Sequence, residues 1–233
     1  MIYVEKFQER TREKIVQVAK RTLKKPEGKE ALNYLKNKRK LSDEIIERFD
    51  FGYCPSNIDH QLNGRIITPI YDVHKNLVAL STRSLEIAKK FWHESFDKSL
   101  YLYGLCYAKE EMMRCKKAIL VEGEFDVAFL HSNGFEMAVG VCGSSFSLIQ
   151  AGLLLRYCNE VFVVLDGDES GKKSTQRILD FYKKNNLNSY DVKYVPVYLP
   201  DNLDPDDYIM EKGTKSFKEL LINSRKNNSF INN

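Results

Sequence analysis

The first half of the chain combines helical spacing with a β-rich hairpin pattern. Apolar residues recur at helical intervals through a basic segment that begins near Val4 and is interrupted at Pro26. Ser42 is followed by two acidic residues and then isoleucines, which predicts a capped helix start. Arg65–Tyr71 and Leu77–Arg83 are rich in β-branched and apolar residues and are joined by a short polar stretch. We therefore predict a helical, basic segment followed by a β-hairpin.

The second half alternates short apolar runs with helical patterns. One of its helices begins with the capping box formed by Ser147 and Gln150. Strands that are apolar on both faces and alternate with helices are typical of a parallel sheet. We therefore predict an α/β fold, a doubly wound, mostly parallel sheet flanked by helices and preceded by a smaller basic α+β subdomain. The four apolar runs are Ala118–Val121, Met137–Val141, Val161–Leu165 and Val192–Leu199.

This change of pattern predicts three segments in the 233-residue chain. They are an α+β subdomain over residues 1–115, the α/β domain over residues 116–224, and an Asn-rich, disordered tail over residues 225–233. The apolar share of 43% is ordinary for a globular protein. No signal peptide or membrane span is recognisable, and the five scattered cysteines form no CxxC pair. We expect a reduced, cytoplasmic protein without a structural zinc site.

The charges are unevenly distributed along the sequence. Residues 1–117 carry 24 Lys and Arg against 16 Asp and Glu, whereas the remainder carries 12 against 16. An asymmetry of this kind indicates either contact with nucleic acid or chance clustering of solvated charges. The arithmetic alone does not separate these two interpretations.

Acidic residues follow three of the four apolar runs. The carboxyl ends of parallel strands meet at one edge of a sheet, where ligands bind in open α/β folds. Such a concentration of carboxylates repels itself unless a cation neutralises it, and oxygen ligands suit Mg²⁺ or Mn²⁺. We predict a site for two divalent ions that can promote phosphoryl transfer. The acidic stretches are Glu122–Asp126, Asp166–Glu169 and Asp201–Asp207.

Two other interpretations of these acids are weaker. The stretch from Asp166 to Gly171 is similar to the start of a calcium-binding EF-hand loop, but Arg177 stands where that loop needs Glu, and a β-run precedes it. A solvated acidic loop explains any single cluster. It does not explain clusters at three strand ends.

The chain resembles the TOPRIM module, and more fully the catalytic core of DnaG-type primases. Glu122-Gly123 followed by Asp126, and Asp166-x-Asp168-x-x-Gly171 some forty residues later, match the module's signature. Four further blocks match the primase core in family order. They are SDEIIERFDFGYCP from Ser42, GRIITPI from Gly64, SLYLYGLCYA from Ser99 and LPDNLDPDDYI from Leu199.

The resemblance implies roles for individual residues. Glu122, Asp166 and Asp168 match the principal catalytic and metal-site acids, and Asp126, Asp204 and Asp206 match the outer acids. Basic residues that guide the template and the incoming nucleotide are implied as well. They are Arg39, within a stretch one residue longer than the family's, and Arg65, Arg83, Lys90 and Lys98.

The activity implied is that of a DNA-directed RNA polymerase that makes short RNA primers from ribonucleoside triphosphates on single-stranded DNA. No Cys/His ligand set for a zinc ribbon is present, and nothing matches a helicase-docking domain. We therefore expect a reduced or split primase that works with a replicative helicase or a separate template-recognition protein. The setting would be the nucleoid, or the host cytoplasm if the gene belongs to a phage. Two alternatives stay open: a non-catalytic nucleic-acid-binding replication subunit, and a TOPRIM nuclease.

Overall fold

Two sheets of opposite type organise the protein, one antiparallel and one parallel. The computed structural model describes residues 2–55, 61–85, 91–143, 145–200 and 202–231, with the backbone alone for residues 2–10, 188 and 228–231. The chain forms an N-terminal unit, residues 1–97, and a C-terminal unit, residues 98–233. Within the described residues, no helix combines the length and apolarity needed to cross a membrane.

The N-terminal unit contains the predicted helices and hairpin. Its four strands pair antiparallel in the order β1-β2-β3-β4. Ser42 caps the third helix, since its hydroxyl accepts a hydrogen bond from the N–H of Ile45 at 3.2 Å. The elements are α1 (Ile2–Leu23), α2 (Lys29–Asn33), α3 (Asp43–Arg48), β1 (Gly52–Cys54), β2 (Arg65–Tyr71), β3 (Leu77–Ser84) and β4 (Phe91–His93).

The core of this unit lies between α1 and the antiparallel sheet. Val16 and Ala19, three residues apart on α1, share one buried cluster with Ile67 and Leu80 of the sheet. The helix approaches β1 closely at Gly52, where an added Cβ would lie 2.5 Å from that of Ala19. A side chain at this position would push the helix away from the strand.

The C-terminal unit is the predicted parallel α/β sheet, and the fold class is confirmed. Its strands lie in the order β6-β5-β7-β8, and every pair is parallel. The central strand β5 is buried from Ala118 to Val121, as expected for a strand covered on both faces. The elements are α4 (Leu105–Cys115), β5 (Lys117–Val121), α5 (Glu124–Ser132), β6 (Ala138–Gly140), α6 (Leu148–Leu155), β7 (Glu160–Val163), α7 (Glu169–Lys184), β8 (Lys193–Pro196) and α8 (Pro205–Ile231).

The boundary between the two units lies before helix α4 and not after it. The sequence pattern placed the division near residue 115, whereas the units meet between Asp97 and Lys98. Three residues of α4 are buried, and Tyr103 exchanges backbone hydrogen bonds with Gly140 of β6 at 2.9 and 3.0 Å. The stretch that contains α4 therefore folds with the parallel sheet.

Helix α8 is longer than the sequence pattern indicated. Helix α8 begins at Pro205 and continues to Ile231, so it extends into residues 225–233, which the sequence pattern predicted to be a disordered tail. It bends at Gly213, whose φ of 81° and ψ of 161° are non-helical. Glycine adopts this conformation without the steric cost that a side chain would add.

Candidate active site

The loops after β5, β7 and β8 meet at one edge of the parallel sheet because these three strands are neighbours. Glu122 follows the last residue of β5 directly, and Asp166 lies three residues beyond the end of β7. Asp204 immediately precedes α8, at the end of the loop that leaves β8. The sheet topology thus delivers carboxylates from all three predicted strand ends to the same edge.

Backbone N–H groups hold three of these acids in fixed directions. In each case one carboxylate oxygen accepts a hydrogen bond from a backbone N–H at the N-terminus of the helix that follows the strand. Such a bond restricts the rotamers of the side chain and thereby aims its second oxygen. The bonds join Asp126 to Gly123 at 2.9 Å, Asp168 to Gly171 at 2.7 Å and Asp204 to Asp207 at 2.7 Å.

Two glycines allow the acidic loops to lie against one another. A Cβ on Gly167 would lie 2.2 Å from the carbonyl oxygen of Pro200, and the Gly167 N–H donates to the Leu203 carbonyl at 2.8 Å. A Cβ on Gly171 would lie 2.1 Å from the carbonyl oxygen of Asp166. Any larger residue would displace backbone at either position, so the packing of these loops requires glycine.

The carboxylates are close enough to perturb one another's ionisation. Burial, and after it the negative charges of Asp126, Glu122, Asp204 and Asp168, raises the pKa of Asp166 to about 7. Burial, and then the charge of Asp168, raises the pKa of Glu122 above its ordinary value. Five of the six predicted acids therefore form one electrostatically coupled cluster, which we call the acid cluster. A bound cation would relieve its repulsion.

The sixth acid, Asp206, is buried in the first turn of α8 with 3% of its surface exposed, and it is not among the charges that raise the pKa of Asp166. Within the described residues, no group of three or more His, Cys, Asp or Glu side chains is already arranged around a metal position. The donor types of the acid cluster nevertheless fit Mg²⁺ or Mn²⁺, because all are carboxylate oxygens.

A cavity of about 190 Å³ opens beside the acid cluster. Its walls include Glu122, the aromatic rings of Phe146 and Phe181, and the exposed side chain of Arg177 on α7. The sequence analysis used Arg177 only to reject a calcium loop, and gave no sign that α7 would place it in the wall of the same cavity as Glu122.

The predicted basic residues of the N-terminal unit have different surroundings. Arg65 is only 8% exposed and donates a hydrogen bond to the Thr82 hydroxyl at 3.3 Å. Arg83 and Arg39 are half-buried and lie over the ring of Tyr34, with their guanidinium carbons 5.3 and 5.9 Å from its centroid. Lys90 lies outside the described residues.

A turn of π-helix over Tyr34–Lys38 brings Arg39 back to Tyr34. Its wider hydrogen-bonded ring joins residues five apart, and the Arg39 N–H donates to the Tyr34 carbonyl at 2.9 Å. This turn takes up one residue more than an α-helical turn, which suits the extra residue of the local sequence. The sequence analysis did not identify Tyr34 as a neighbour of Arg39, although the two residues are only five positions apart.

Lys98 belongs to the C-terminal unit, where its backbone is fixed by Gln150. The Gln150 side chain is fully buried, and its Nε2 donates to the carbonyls of Lys98, Tyr101 and Val141 at 3.1, 2.7 and 2.9 Å. The Lys98 side chain lies against Gly143, where an added Cβ would be 3.3 Å from its Cδ. The capping box was predicted correctly, but its glutamine has this second role.

Replacing Gln150 with alanine should destabilise the C-terminal unit by about 2 kcal/mol, because buried carbonyls would lose their donor. For a chain of this size, that corresponds to a thermal midpoint lower by roughly 4–8 °C. Differential scanning calorimetry measures the change. The control is Gln176→Ala, an exposed glutamine that donates to Asp180 on its own helix, which should stay within about 0.5 kcal/mol of wild type. Equal midpoints for the two variants would contradict the role of Gln150.

Comparison with known proteins agrees with this architecture. A family model described as Toprim-like matches residues 119–209, and one described as the N-terminal domain of the DNA primase catalytic core matches residues 18–63. The DNA primase of Synechococcus elongatus is 27% identical, in an alignment that covers 89% of this chain and 36% of that protein. The DNA primase of Aquifex aeolicus is 28% identical, covering 84% of this chain and 45% of its own length.

Solved structures carry the same fold. The zinc-binding and RNA polymerase domains of Aquifex aeolicus primase superpose with a TM-score of 0.80 at 26% identity, over 91% of this chain and 59% of that one. A DnaG primase catalytic domain bound to single-stranded DNA gives 0.86 at 22% identity, over 96% and 80% of the two chains.

The parallel sheet, its edge of carboxylates and the matching family model identify residues 119–209 as a Toprim-like domain. In sequence and in fold, the chain is similar to the catalytic core of DnaG-type primases. Toprim primases depend on metal ions. The chain spans between about a third and a half of the length of the curated relatives that it matches.

Proposed function

We propose that the chain synthesises short RNA primers on single-stranded DNA by nucleotidyl transfer from ribonucleoside triphosphates. The acid cluster is the observation that carries this proposal. Five carboxylates lie at one sheet edge, and the pKa of Asp166 is raised to about 7. Bound cations would stabilise such a site because they neutralise its charge. The kinship with DNA primases and the basic residues of the N-terminal unit support the assignment of the substrate.

Glu122, Asp166 and Asp168 would hold two divalent cations, with Asp126, Asp204 and Asp206 as outer acids. The ions, Mg²⁺ or Mn²⁺, would supply charge stabilisation at the reacting phosphate and activate the attacking 3′-hydroxyl. The chain itself contributes direction, because Asp168 and Asp204 each have one oxygen fixed by a backbone N–H. This fixed direction lowers the reorganisation needed when a nucleotide binds.

The basic residues would bind phosphates. Arg39, Arg65 and Arg83 of the N-terminal unit, Lys90, and Lys98 of the C-terminal unit would guide the template strand and the triphosphate. Cations that contact a phosphate backbone give an affinity that falls steeply with salt. We therefore propose that the protein binds single-stranded DNA and ribonucleotides, and that it works with a replicative helicase or a template-recognition protein.

Replacing Asp168 with asparagine should reduce RNA synthesis by about 10²–10³-fold while leaving the fold intact. Asparagine caps helices as well as aspartate does, so α7 keeps its start, but the anionic oxygen is lost. The assay follows α-labelled ribonucleotides into RNA on single-stranded DNA with Mg²⁺ or Mn²⁺, with and without the cognate helicase. The control is Glu219→Gln on the exposed side of α8, which should synthesise at the wild-type rate.

Each other outcome identifies a different function. Binding of DNA without synthesis under any metal or template would favour the non-catalytic replication subunit. Cleavage of the DNA that Asp168→Asn abolishes would favour the nuclease. Synthesis by Asp168→Asn at the wild-type rate would exclude the acid cluster as the site.

A further inference from the structure

The guanidinium of Arg83 lies over two aromatic rings that come from different parts of the N-terminal unit. Its carbon is 5.3 Å from the ring centroid of Tyr34 and 4.7 Å from that of Phe91. Arg83 and Phe91 are direct cross-strand partners on β3 and β4, whereas Tyr34 comes from the π-helical turn that follows α2. Three separate elements therefore build this arrangement.

Tyr34 also holds a second arginine. Its hydroxyl accepts a hydrogen bond from Nε of Arg39 at 3.0 Å, and the Arg39 guanidinium lies 5.9 Å from the same ring centroid. The ammonium of Lys38 is 5.8 Å from this centroid as well. Three cations thus lie within 6 Å of the centre of one tyrosine ring, whose negative face attracts them.

Stacking leaves a guanidinium with its N–H donors directed sideways, in the plane of the group. Those in-plane donors are the ones that bind a phosphate with two parallel hydrogen bonds. An arginine that is already held in place also loses less side-chain freedom when it binds. Arginines that are held over a ring in this way are therefore preorganised for phosphate.

We propose that Tyr34 and Phe91 are positioning residues that hold Arg83, and in the case of Tyr34 also Arg39, to bind neighbouring phosphates of one single-stranded DNA segment. This inference rests on the proposed function, because it takes the template to be the ligand. It assigns the aromatic residues no contact with the reacting atoms. Their effect is on the binding of the strand.

The test compares Tyr34 and Phe91 with another tyrosine of the same unit. Tyr71 also has a cation over its ring, Lys75 at 5.9 Å, and its hydroxyl donates to Asp50 at 2.9 Å. The variants are Tyr34→Phe, Tyr34→Leu and Phe91→Leu, and the matched controls are Tyr71→Phe and Tyr71→Leu. Binding is measured by fluorescence anisotropy with a labelled oligothymidylate over a range of salt concentrations, with EDTA and without nucleotides.

We expect Tyr34→Leu and Phe91→Leu to weaken binding by about three- to tenfold, as for side chains that lose their preorganisation. Tyr34→Phe keeps the ring and should lie between wild type and Tyr34→Leu. The salt slope should hardly change in these variants, because all cations remain. Arg83→Ala, by contrast, should lower the slope by about one, as for the loss of one phosphate contact. A purely structural effect would not produce this separation between affinity and slope.

Equal affinities of the Tyr34, Phe91 and Tyr71 variants, with wild type still binding, would overturn the positioning role and leave the proposed function intact. Failure of the wild-type protein to bind single-stranded DNA would overturn both. Phe91 is 46% exposed, so its replacement tests the proposal even if Tyr34→Leu fails to fold. Circular dichroism of every variant identifies such a failure.

Discussion

Replacing Asp166 with asparagine should raise the thermal midpoint of the metal-free protein and at the same time abolish RNA synthesis. The carboxylate is partly buried beside four other acids, so its ionised form opposes folding. Because Asp166 is partly exposed, solvent screening limits the gain, and we expect about 2–4 °C. RNA synthesis should fall by about 10²–10³-fold, as expected when one charge is removed from a catalytic site. The wild-type aspartate thus lowers the stability of the metal-free protein but is required for RNA synthesis.

The raised pKa of Asp166 also predicts how the stability of the metal-free protein changes with pH. The pKa of Asp166 is about 7 in the folded protein, against an ordinary value of 3.8. Between these two pH values Asp166 is ionised in the unfolded chain but still protonated in the folded protein. The wild-type protein should therefore lose stability as pH rises from about 4 to about 7, and this group should cause no further loss above pH 7. Asp166→Asn should lack that loss. Addition of Mg²⁺ should stabilise wild type more than the variant, since an ion that binds the folded state favours it.

Thermal melts from pH 4 to pH 8, with and without Mg²⁺, measure these effects. Glu219→Gln removes one exposed carboxylate from α8 and should reproduce the wild-type curves. A lower midpoint for metal-free Asp166→Asn, or an unchanged response to Mg²⁺, would contradict the electrostatic description of the acid cluster.

Replacing Gly171 with alanine should be among the most damaging single-methyl changes in the C-terminal unit. The new Cβ would meet the carbonyl oxygen of Asp166 at 2.1 Å, and this atom belongs to the backbone rather than to the end of a flexible side chain. Overpacking of this severity costs about 3 kcal/mol, equivalent to roughly 6–12 °C in the thermal midpoint of a chain of this length. RNA synthesis should fall as well, because the same movement displaces Asp166 and the capping bond of Asp168.

Gly152→Ala is the matched control for this change. Gly152 also lies within a helix, α6, but nothing stands within 4 Å of the position that its Cβ would take. Alanine there should stabilise the protein by about 0.5–1 kcal/mol through the lower backbone entropy of the unfolded chain. Calorimetry of both variants measures the contrast, and similar midpoints for the two would show that close backbone packing does not govern the loop of Asp166.

The acid cluster was predictable from the sequence because its geometry follows from topology. Once the apolar runs are taken as parallel strands, the carboxyl ends must share one edge, and acids that follow those runs must meet there. The structure brings Glu122, Asp166 and Asp204 together in this way. That these residues bind metal and act in catalysis stays a prediction until the variants are measured.

The surroundings of the basic residues could not be predicted in the same way. Arg65 and Arg83 both lie on strands of the antiparallel sheet, yet Arg65 is buried against Thr82 and Arg83 lies over the rings of Tyr34 and Phe91. Their difference depends on cross-strand neighbours and on a π-helical turn, which no periodicity reveals. Gln150 illustrates the same limit, since its capping role is local whereas its bonds to Lys98 and Tyr101 span about fifty residues.

The most direct test of the central claim is whether the protein begins an RNA chain from two free nucleotides. Ribonucleoside triphosphates labelled on the γ-phosphate lose the label in every transfer except at the first nucleotide, so a labelled RNA reports initiation alone. With single-stranded DNA, Mg²⁺ or Mn²⁺ and the cognate helicase, we predict short γ-labelled RNA complementary to the template, absent with Asp166→Asn or Asp168→Asn. No labelled RNA from the wild-type protein under any of these conditions, or equal product from both variants, would contradict the claim.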